Sequence, residues 1–291
     1  MTSIITNVSA MAALQTLRSV NSDLESAQNR VSTGYRISEA KDNAAYWSIA
    51  TTMRSDNGAV NAAADALGVG AAKVDVAYAG IESAIDIVTE IKNKLVSATE
   101  TSVDVSKIQD EIAQLQAQLK SIANSASFNG ENWLIGSSAT TNSVVTAFVR
   151  TGSGSVLVAT ETVSSGSFAL FGKAANGMAD TSTGLLASIA AISLTTSSNM
   201  ATELQTVETA LKNLTKGAAT IGSLSKRIDL QSEFANVLSD SIEKGVSRLV
   251  DADMEEESAK LSALQTQQQL AIQSLSIANS SAQNILSLFR Q

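Results

Sequence analysis

The chain has 291 residues, with 20 basic against 28 acidic side chains and no His, Cys or Pro. Without His or Cys, the common zinc and transition-metal sites and the usual imidazole and thiol mechanisms are excluded, and no basic run is present to hold nucleic acid. Aromatic residues are only 4%, so the apolar content rests on Ala, Leu, Ile and Val, which suits long helices that no proline interrupts.

The amino end, MTSIITNVSAMAALQTL, carries no charge before Arg18. It has no basic region, continuous apolar core or cleavage site of a secretory signal, and no segment qualifies as transmembrane. The first helical pattern stops around Gly34. A second helix is expected to start near Asp42 or Asn43, both suitable N-caps, and to run to about Ala98. Gly58, Gly68, Gly70 and Gly80 weaken it without ending it. Its apolar series is Val74, Tyr78, Ile81, Ile85 and Val88. Asp104 is expected to cap a third helix reaching Asn124, with Ile108, Ile112, Leu115, Leu119 and Ile122 at alternating steps of three and four. This 3.5-residue repeat gives each helix a narrow seam for partner helices.

FNGENW, residues 128–133, reads as a turn. Between Gly130 and Asn199 the chain becomes rich in Ser, Thr and Gly. There VVTAFV and VLVATETV flank RTGSGS, the pattern of a β-hairpin. Helix resumes near Met200 and runs to Val250, with Leu204, Val207, Leu211, Leu214, Ala218 and Ile221 in register. DADMEEE then interrupts it, and a terminal helix follows. Its series is Leu261, Leu264, Gln268, Ala271, Leu275, Ala278, Ala282, Ile285 and Phe289, broken only by Gln268. From Leu261 to Phe289 there is no charge at all.

The fold class expected is mainly α: a long coiled-coil helical bundle formed by both chain ends, with a small β-rich insertion in mid-chain. Residues 1–42 and 251–291 would form paired terminal helices, 43–135 and 200–250 a helical bundle, and 136–199 a Ser/Thr/Gly-rich insertion. Uncharged, half-polar helices are poorly matched to water around a lone monomer. They suit packing among copies of the same chain, where each buried charge would have to be desolvated while Gln, Ser and Asn can hydrogen-bond.

Two long motifs then carry a family resemblance. NRVSTGYRISEAKDNAAYWSIA, residues 29–50, is similar to RLSSGxRINSAKDDAA of bacterial flagellins, and its YWSIATTMRSDN end resembles the short rhizobial members. SRLVDADMEEESAKL and ANSSAQNILSLFR resemble RIEDADYATE and ANQxPQNVLSLLR at the carboxyl end. With FNG at Phe128, the resemblance covers roughly residues 1–135 and 200–291. It implies a structural subunit that polymerises with itself into the hollow flagellar filament. The terminal helices would line the inner tube, the bundle would form a shell and the insertion would face outward. Export would use the flagellum's own channel without a cleaved signal, to an extracellular location. Partners implied are other copies, other flagellins, an export chaperone, the filament cap and hook-junction proteins, with no nucleic acid, membrane insertion, cofactor or enzymatic activity.

On this reading the inner seam uses Ile4, Val8, Met11, Leu14 and Leu17, paired with Leu264, Leu275, Ile285 and Phe289. The shell seam uses Ile85, Val88, Ile108, Ile112, Leu115, Leu119, Leu211 and Leu214. Arg30 and Arg36 are candidates for inter-subunit ion pairs, or for solvated pairs of little energy. Glu39, Tyr46 and Trp47 depart from the family in the segment that plant receptors recognise. Glu90 stands where the vertebrate contact helix usually has arginine, so both kinds of immune recognition are expected to be weakened. DADMEEE alternates carboxylates as calcium loops do, but it lacks the loop glycine, and a helix N-terminus is the plainer reading. Competing functions are a coiled-coil signalling or adaptor protein and a type III secreted interaction protein. The first would not predict a β insertion with charge-free ends, and the second should not polymerise alone.

Overall fold

A computed structural model describes residues 6–100, 103–137, 139–151, 155–195 and 199–288, with side chains described through Ser281. Six helices are described: α1 (Val8–Thr33), α2 (Ala44–Ser97), α3 (Val105–Ser125), α4 (Ala187–Ala190), α5 (Met200–Val250) and α6 (Met254–Leu288). Three antiparallel strand pairs lie between α3 and α4: β1 (Ser127–Phe128) with β2 (Glu131–Asn132), β3 (Thr141–Arg150) with β4 (Val156–Ser164), and β5 (Gly172–Lys173) with β6 (Ala179–Asp180).

The chain divides into two compact units, one of Met1–Ser55 with Ser241–Gln291 and one of Asp56–Asp240. These divisions fall inside α2 and α5 rather than at the expected boundaries, 42/43 and 250/251, where helices begin and end. The reason is local packing. The first turns of α2 and the last turns of α5 close a small core of Ile37, Ala50, Val246 and Val250, so they belong with the chain ends.

In the first unit, the Asn7 side chain accepts from the Ala10 N–H at 3.0 Å and caps α1. The helix stops at Gly34, which adopts φ 74 and donates to the Arg30 carbonyl, a conformation glycine adopts without steric cost. The backbone then crosses onto the α5–α6 junction. Arg36 and Ile37 donate to the Val250 carbonyl at 2.7 and 3.2 Å, and Ala252 donates to the Gly34 carbonyl at 2.9 Å. Asn43 caps α2 through the N–H groups of Ala45 and Tyr46. Asp253 caps α6 through those of Glu255 and Glu256.

In the second unit, α2, α3 and α5 share one core with the irregular segment. Leu67, Val74, Ile81, Ile91, Ile112, Leu119, Val207, Leu214 and Ile221 form a contiguous cluster with Trp133, Leu134, Phe168, Leu170, Phe171, Leu186 and Ile189. The mid-chain insertion of short antiparallel strands thus also contributes Val144 and several residues between Phe168 and Leu194 to the bundle's core. Two α2 glycines show how. A Cβ on Gly70 would lie 2.4 Å from Val144 Cγ1, and one on Gly80 would lie 2.4 Å from Leu134 Cδ1. Gly70 lets β3, and Gly80 lets the chain just before the insertion, press against the helix backbone.

Amide side chains satisfy backbone groups that no ladder reaches. Gln116 Nε2 donates to the carbonyls of Ile189 and Ile192, Gln109 accepts from the Leu194 N–H at 2.7 Å, and Asn124 accepts from the Ala179 N–H at 2.9 Å. The β3–β4 hairpin has a register shift between Val145 and Ala147, where Thr146 donates its hydroxyl to the Ala159 carbonyl. Arg150 grips Asp56 on α2 with Nε at 2.8 and 2.9 Å from its two oxygens, and Arg227 on α5 holds Glu161 of β4 at 2.8 Å.

Candidate self-association surface

The chemistry this chain offers lies on α1 and α6. They run antiparallel, with Val20, Ala27 and Leu264 buried between them and Leu24 and Leu261 packed alongside. On α1 the covered positions are Ala10, Ala13, Leu17, Val20, Leu24 and Ala27, and on α6 they are Glu257, Leu261, Leu264, Gln268, Ala271, Leu275 and Ala278. Both series alternate steps of three and four, the coiled-coil spacing. Their small residues let the helices approach closely.

Three polar contacts cross this seam. Asn7 Nδ2 donates to the Ala278 carbonyl at 2.9 Å, Gln268 Nε2 donates to Asn21 Oδ1 at 2.7 Å, and Arg30 Nη1 donates to Glu257 Oε1 at 3.1 Å. Together they pin one antiparallel register along an otherwise Ala-rich interface. Gln268, the break in the apolar series, is therefore a pin. Glu257 is buried, and its Oε2 has no hydrogen-bond partner.

Leu17, Leu264 and Leu275 lie on the seam, but Val8 and Met11 are 70% and 65% exposed and Leu14 is exposed too. Within one copy Val8, Met11 and Leu14 do not pack on α6: their series runs one face away from the alanine-lined seam. Ile4, Phe289 and the side chain of Ile285 lie outside the described residues. On α6, Leu270, Ile272 and Ile277 also face outward, Ile277 being 69% exposed. The start of α1 before Arg18 and the described part of α6 from Leu261 thus show an uncharged surface studded with large apolar side chains, while the opposite ends of the two helices carry exposed charges.

In the second unit, Val88, Ile108, Ile112, Leu119 and Leu214 lie in the main core cluster, with Ile85, Leu115 and Leu211 packed against it. Arg30 forms its ion pair within the chain, with Glu257, and Arg36 donates to the Leu249 carbonyl at 3.2 Å. Glu39 pairs with Lys41 at 2.8 Å, while Tyr46, Trp47 and Glu90 are exposed. Asp42 accepts from the N–H groups of Glu39 and Ser38, which hold its carboxyl below the ordinary carboxylate value.

One apolar stripe escaped the sequence reading: Leu230, Phe234 and Val237 of α5 are all more than half exposed. Their spacing of four and three was the available signal, on a face offset from the Leu204–Ile221 series. Among the described residues, no helix is long and apolar enough to cross a membrane, and no three His, Cys, Asp or Glu side chains group to hold a metal ion.

Paired terminal helices with charge-free stretches that expose large apolar side chains, in a chain that also forms a helical bundle, define a class of self-associating structural subunit. Comparison with known proteins narrows the class. The model of the bacterial flagellin N-terminal helical region matches residues 4–139, and that of the C-terminal helical region matches residues 204–289. The chain is 46% identical to Flagellin A of Rhizobium meliloti, 49% to Flagellin C of Rhizobium meliloti strain 1021 and 51% to a flagellin of Brucella melitensis biotype 1, covering 100% of both chains in each case. Among solved structures, a crystal structure of Bacillus cereus flagellin aligns at TM-score 0.43 and 18% identity, over 57% of this chain and 86% of that one. The chain belongs to the bacterial flagellin family: it is a structural subunit of the extracellular flagellar filament, which serves motility, and not an enzyme.

Proposed function

We propose that, in the self-assembling filament, the outward faces of α1 and α6 are the surfaces through which subunits pack around the inner tube. Val8, Met11 and Leu14 on α1 and Leu270, Ile272 and Ile277 on α6 serve as the inter-subunit anchors. Leu17, Leu264 and Leu275 hold the pair within each copy, and Ile4, Ile285 and Phe289, whose side chains lie outside the described residues, are assigned to the inner core from the sequence alone. The carrying observation is that exposed apolar side chains lie on helices with no charge between Leu261 and Phe289. Such a surface gains by burial and has no charge to desolvate.

The test is electron microscopy of seeded polymerisation, with the full chain beside a chain ending at Lys260. Long hollow filaments from the first and none from the second support the reading. Equal filaments from both would place the subunit contacts elsewhere.

The finer partners follow from the family. Export proceeds through the flagellum's own channel without a cleaved signal, and the chain engages an export chaperone, the filament cap, hook-junction proteins and other flagellins. Exposed Tyr46 and Trp47, Glu39 and Glu90 weaken recognition by plant and vertebrate innate receptors. Full-strength signalling by the purified protein in both receptor assays would sink that part of the reading.

A further inference from the structure

One cavity in the first unit is lined by three arginines and a single carboxylate, that of Asp42. It measures about 580 Å³, and Arg30, Arg36 and Arg248 surround it together with Asp42, Asn43 and Tyr46. Asp42 is already engaged: its Oδ2 accepts from the N–H groups of Ser38 and Glu39 at 3.0 and 3.1 Å. Arg30 is matched by Glu257. Arg36 reaches only a neutral carbonyl, and among the described residues neither Arg36 nor Arg248 lies within 4.0 Å of a carboxylate. The cavity also sits at the start of α2, a 54-residue helix with no acidic residue in its first turn, so the helix dipole adds to the positive field. Two guanidinium groups without a direct carboxylate partner are unexpected in a chain whose acids outnumber its bases 28 to 20. Their planar forks match carboxylates.

The complementary charge is on the other unit. Residues 56–240 hold 18 acidic and 11 basic side chains, whereas the rest of the chain holds 10 and 9. On α2, Glu82, Asp86 and Glu90 follow at steps of four, which places them on one helical face within about 80° of arc. All three are exposed, and among the described residues none makes an ion pair. The neighbouring Lys92 and Lys94 are paired with Glu208 and Glu111 instead. Three carboxylates without a direct ion pair, of which Glu90 also feels the charge of Lys94 one turn on, and a cavity with two arginines in the same condition are thus carried by every copy of a polymerising chain.

We propose that this cavity is an inter-subunit acceptor site, in which Arg36 and Arg248 of one copy receive the Glu82–Asp86–Glu90 face of α2 from a neighbouring copy. The inference rests on the filament reading and assigns it a specific polar contact. Charge matching of this kind fixes register between subunits and speeds productive encounter.

Charge exchange tests it. Arg36→Glu with Arg248→Glu leaves a subunit with acid on both surfaces. Glu82→Lys, Asp86→Lys and Glu90→Lys together leave one with base on both. Each variant alone should need roughly tenfold more protein to polymerise from seeds at low salt, with the defect shrinking as salt screens it. An equimolar mixture of the two should recover, because every reversed cavity then meets a reversed helix face. A single chain carrying all five substitutions should polymerise near the wild-type concentration. Circular dichroism and thermal melting of each variant verify that the helices remain folded.

Normal polymerisation by either variant, or a mixture no better than its parts, would overturn the proposal. Binding of inorganic phosphate to the wild-type monomer, lost in the double arginine variant and accompanied by promoted assembly, would reassign the cavity to a free anion. Failure of the wild-type chain to polymerise at all would instead count against the filament reading itself.

Discussion

The buried contact between Arg30 and Glu257 offers the sharpest test of the terminal helix pair. The Glu257 side chain is 9% exposed, its Oε2 has no partner, and its Oε1 accepts from Arg30 at 3.1 Å. Arg30→Ala removes that donor and leaves a carboxylate buried in an apolar seam without compensation. Breaking a fully buried pair costs roughly 3–5 kcal/mol. Because the Arg30 side chain is 35% exposed, water reaches the vacated space, and about 2 kcal/mol is the appropriate figure. That is roughly a 30-fold increase in the opening equilibrium of the pair. Amide exchange in assembled filaments reads it directly, through faster exchange of the α1 amides from Val20 to Val31. The double variant Arg30→Met with Glu257→Leu removes both charges, retains apolar volume and should restore protection to at least the wild-type level. Exchange in Arg30→Ala within about threefold of wild type, or a double variant as unprotected as the single one, would refute the reasoning.

Other consequences can be checked in the Asp56–Asp240 unit. Leu119→Ala opens a cavity beside fully buried neighbours and should cost about 2–5 kcal/mol, read as a lower thermal midpoint. Gly184 adopts φ 108, and a Cβ there would lie 2.5 Å from the Leu170 carbonyl oxygen and 2.6 Å from Phe171 Cα. Gly184→Ala should therefore destabilise much more than Gly130→Ala, where φ is 81 but the space is open, and denaturant titration of the two variants compares them directly. The Glu161 carboxyl is held below its ordinary value of 4.5 by the hydrogen bond from Arg227, and that of Glu131 by the one from Lys73. A depressed folded-state value contributes stability that is present above the ordinary value and is lost as pH falls through the folded one. Protection of the β3–β4 amides, with the intrinsic pH dependence of exchange divided out, should accordingly fall below about pH 4.5, and less so in Glu161→Gln, which has already lost the contribution.

The helical plan was legible because its signals are local. Asn43 and Asp104 cap the helices they were expected to cap, and the 3.5-residue spacing in α3 and α6 marks the positions that are covered. The phase of α1 was not legible, since hydropathy weights Val8, Met11 and Leu14 above Ala10, Ala13 and Ala27. The seam is chosen by how closely two backbones can approach, and alanine allows the closer approach. The segment from Ser165 to Leu194 was equally opaque. Phe168, Phe171, Leu186 and Ile189 are fully buried, yet they follow no period, and their neighbours' backbone groups are satisfied by Gln109, Gln116 and Asn124 from a distant helix. Unit boundaries inside α2 and α5 leave no mark in composition, because a continuous helix needs none. The arginine cavity draws on residues 30–46 and 248–249, so only folding assembles it.

The distribution of charge bears on how one chain can be soluble first and polymeric later. Most of the net charge of −8 resides in residues 56–240, whereas the last helix carries acids only in its first turns and nothing charged from Leu261 to Phe289. Mutual repulsion of the acidic units keeps separate copies in solution, while amide and hydroxyl side chains on α6 allow burial without stripping a charge of water. Two substitutions two residues apart separate these demands. Leu275 is part of the α1–α6 seam, so Leu275→Asp should loosen the pair within each copy and thereby stop assembly. Ile277 is 69% exposed, so Ile277→Asp should leave the pair intact in the monomer, with circular dichroism unchanged, yet raise the concentration needed for seeded growth at least tenfold, because each new contact would bury a carboxylate. Growth of the Ile277→Asp chain at the wild-type concentration would show that this face of α6 stays wet in the filament, and the absence of charge there would then need another cause.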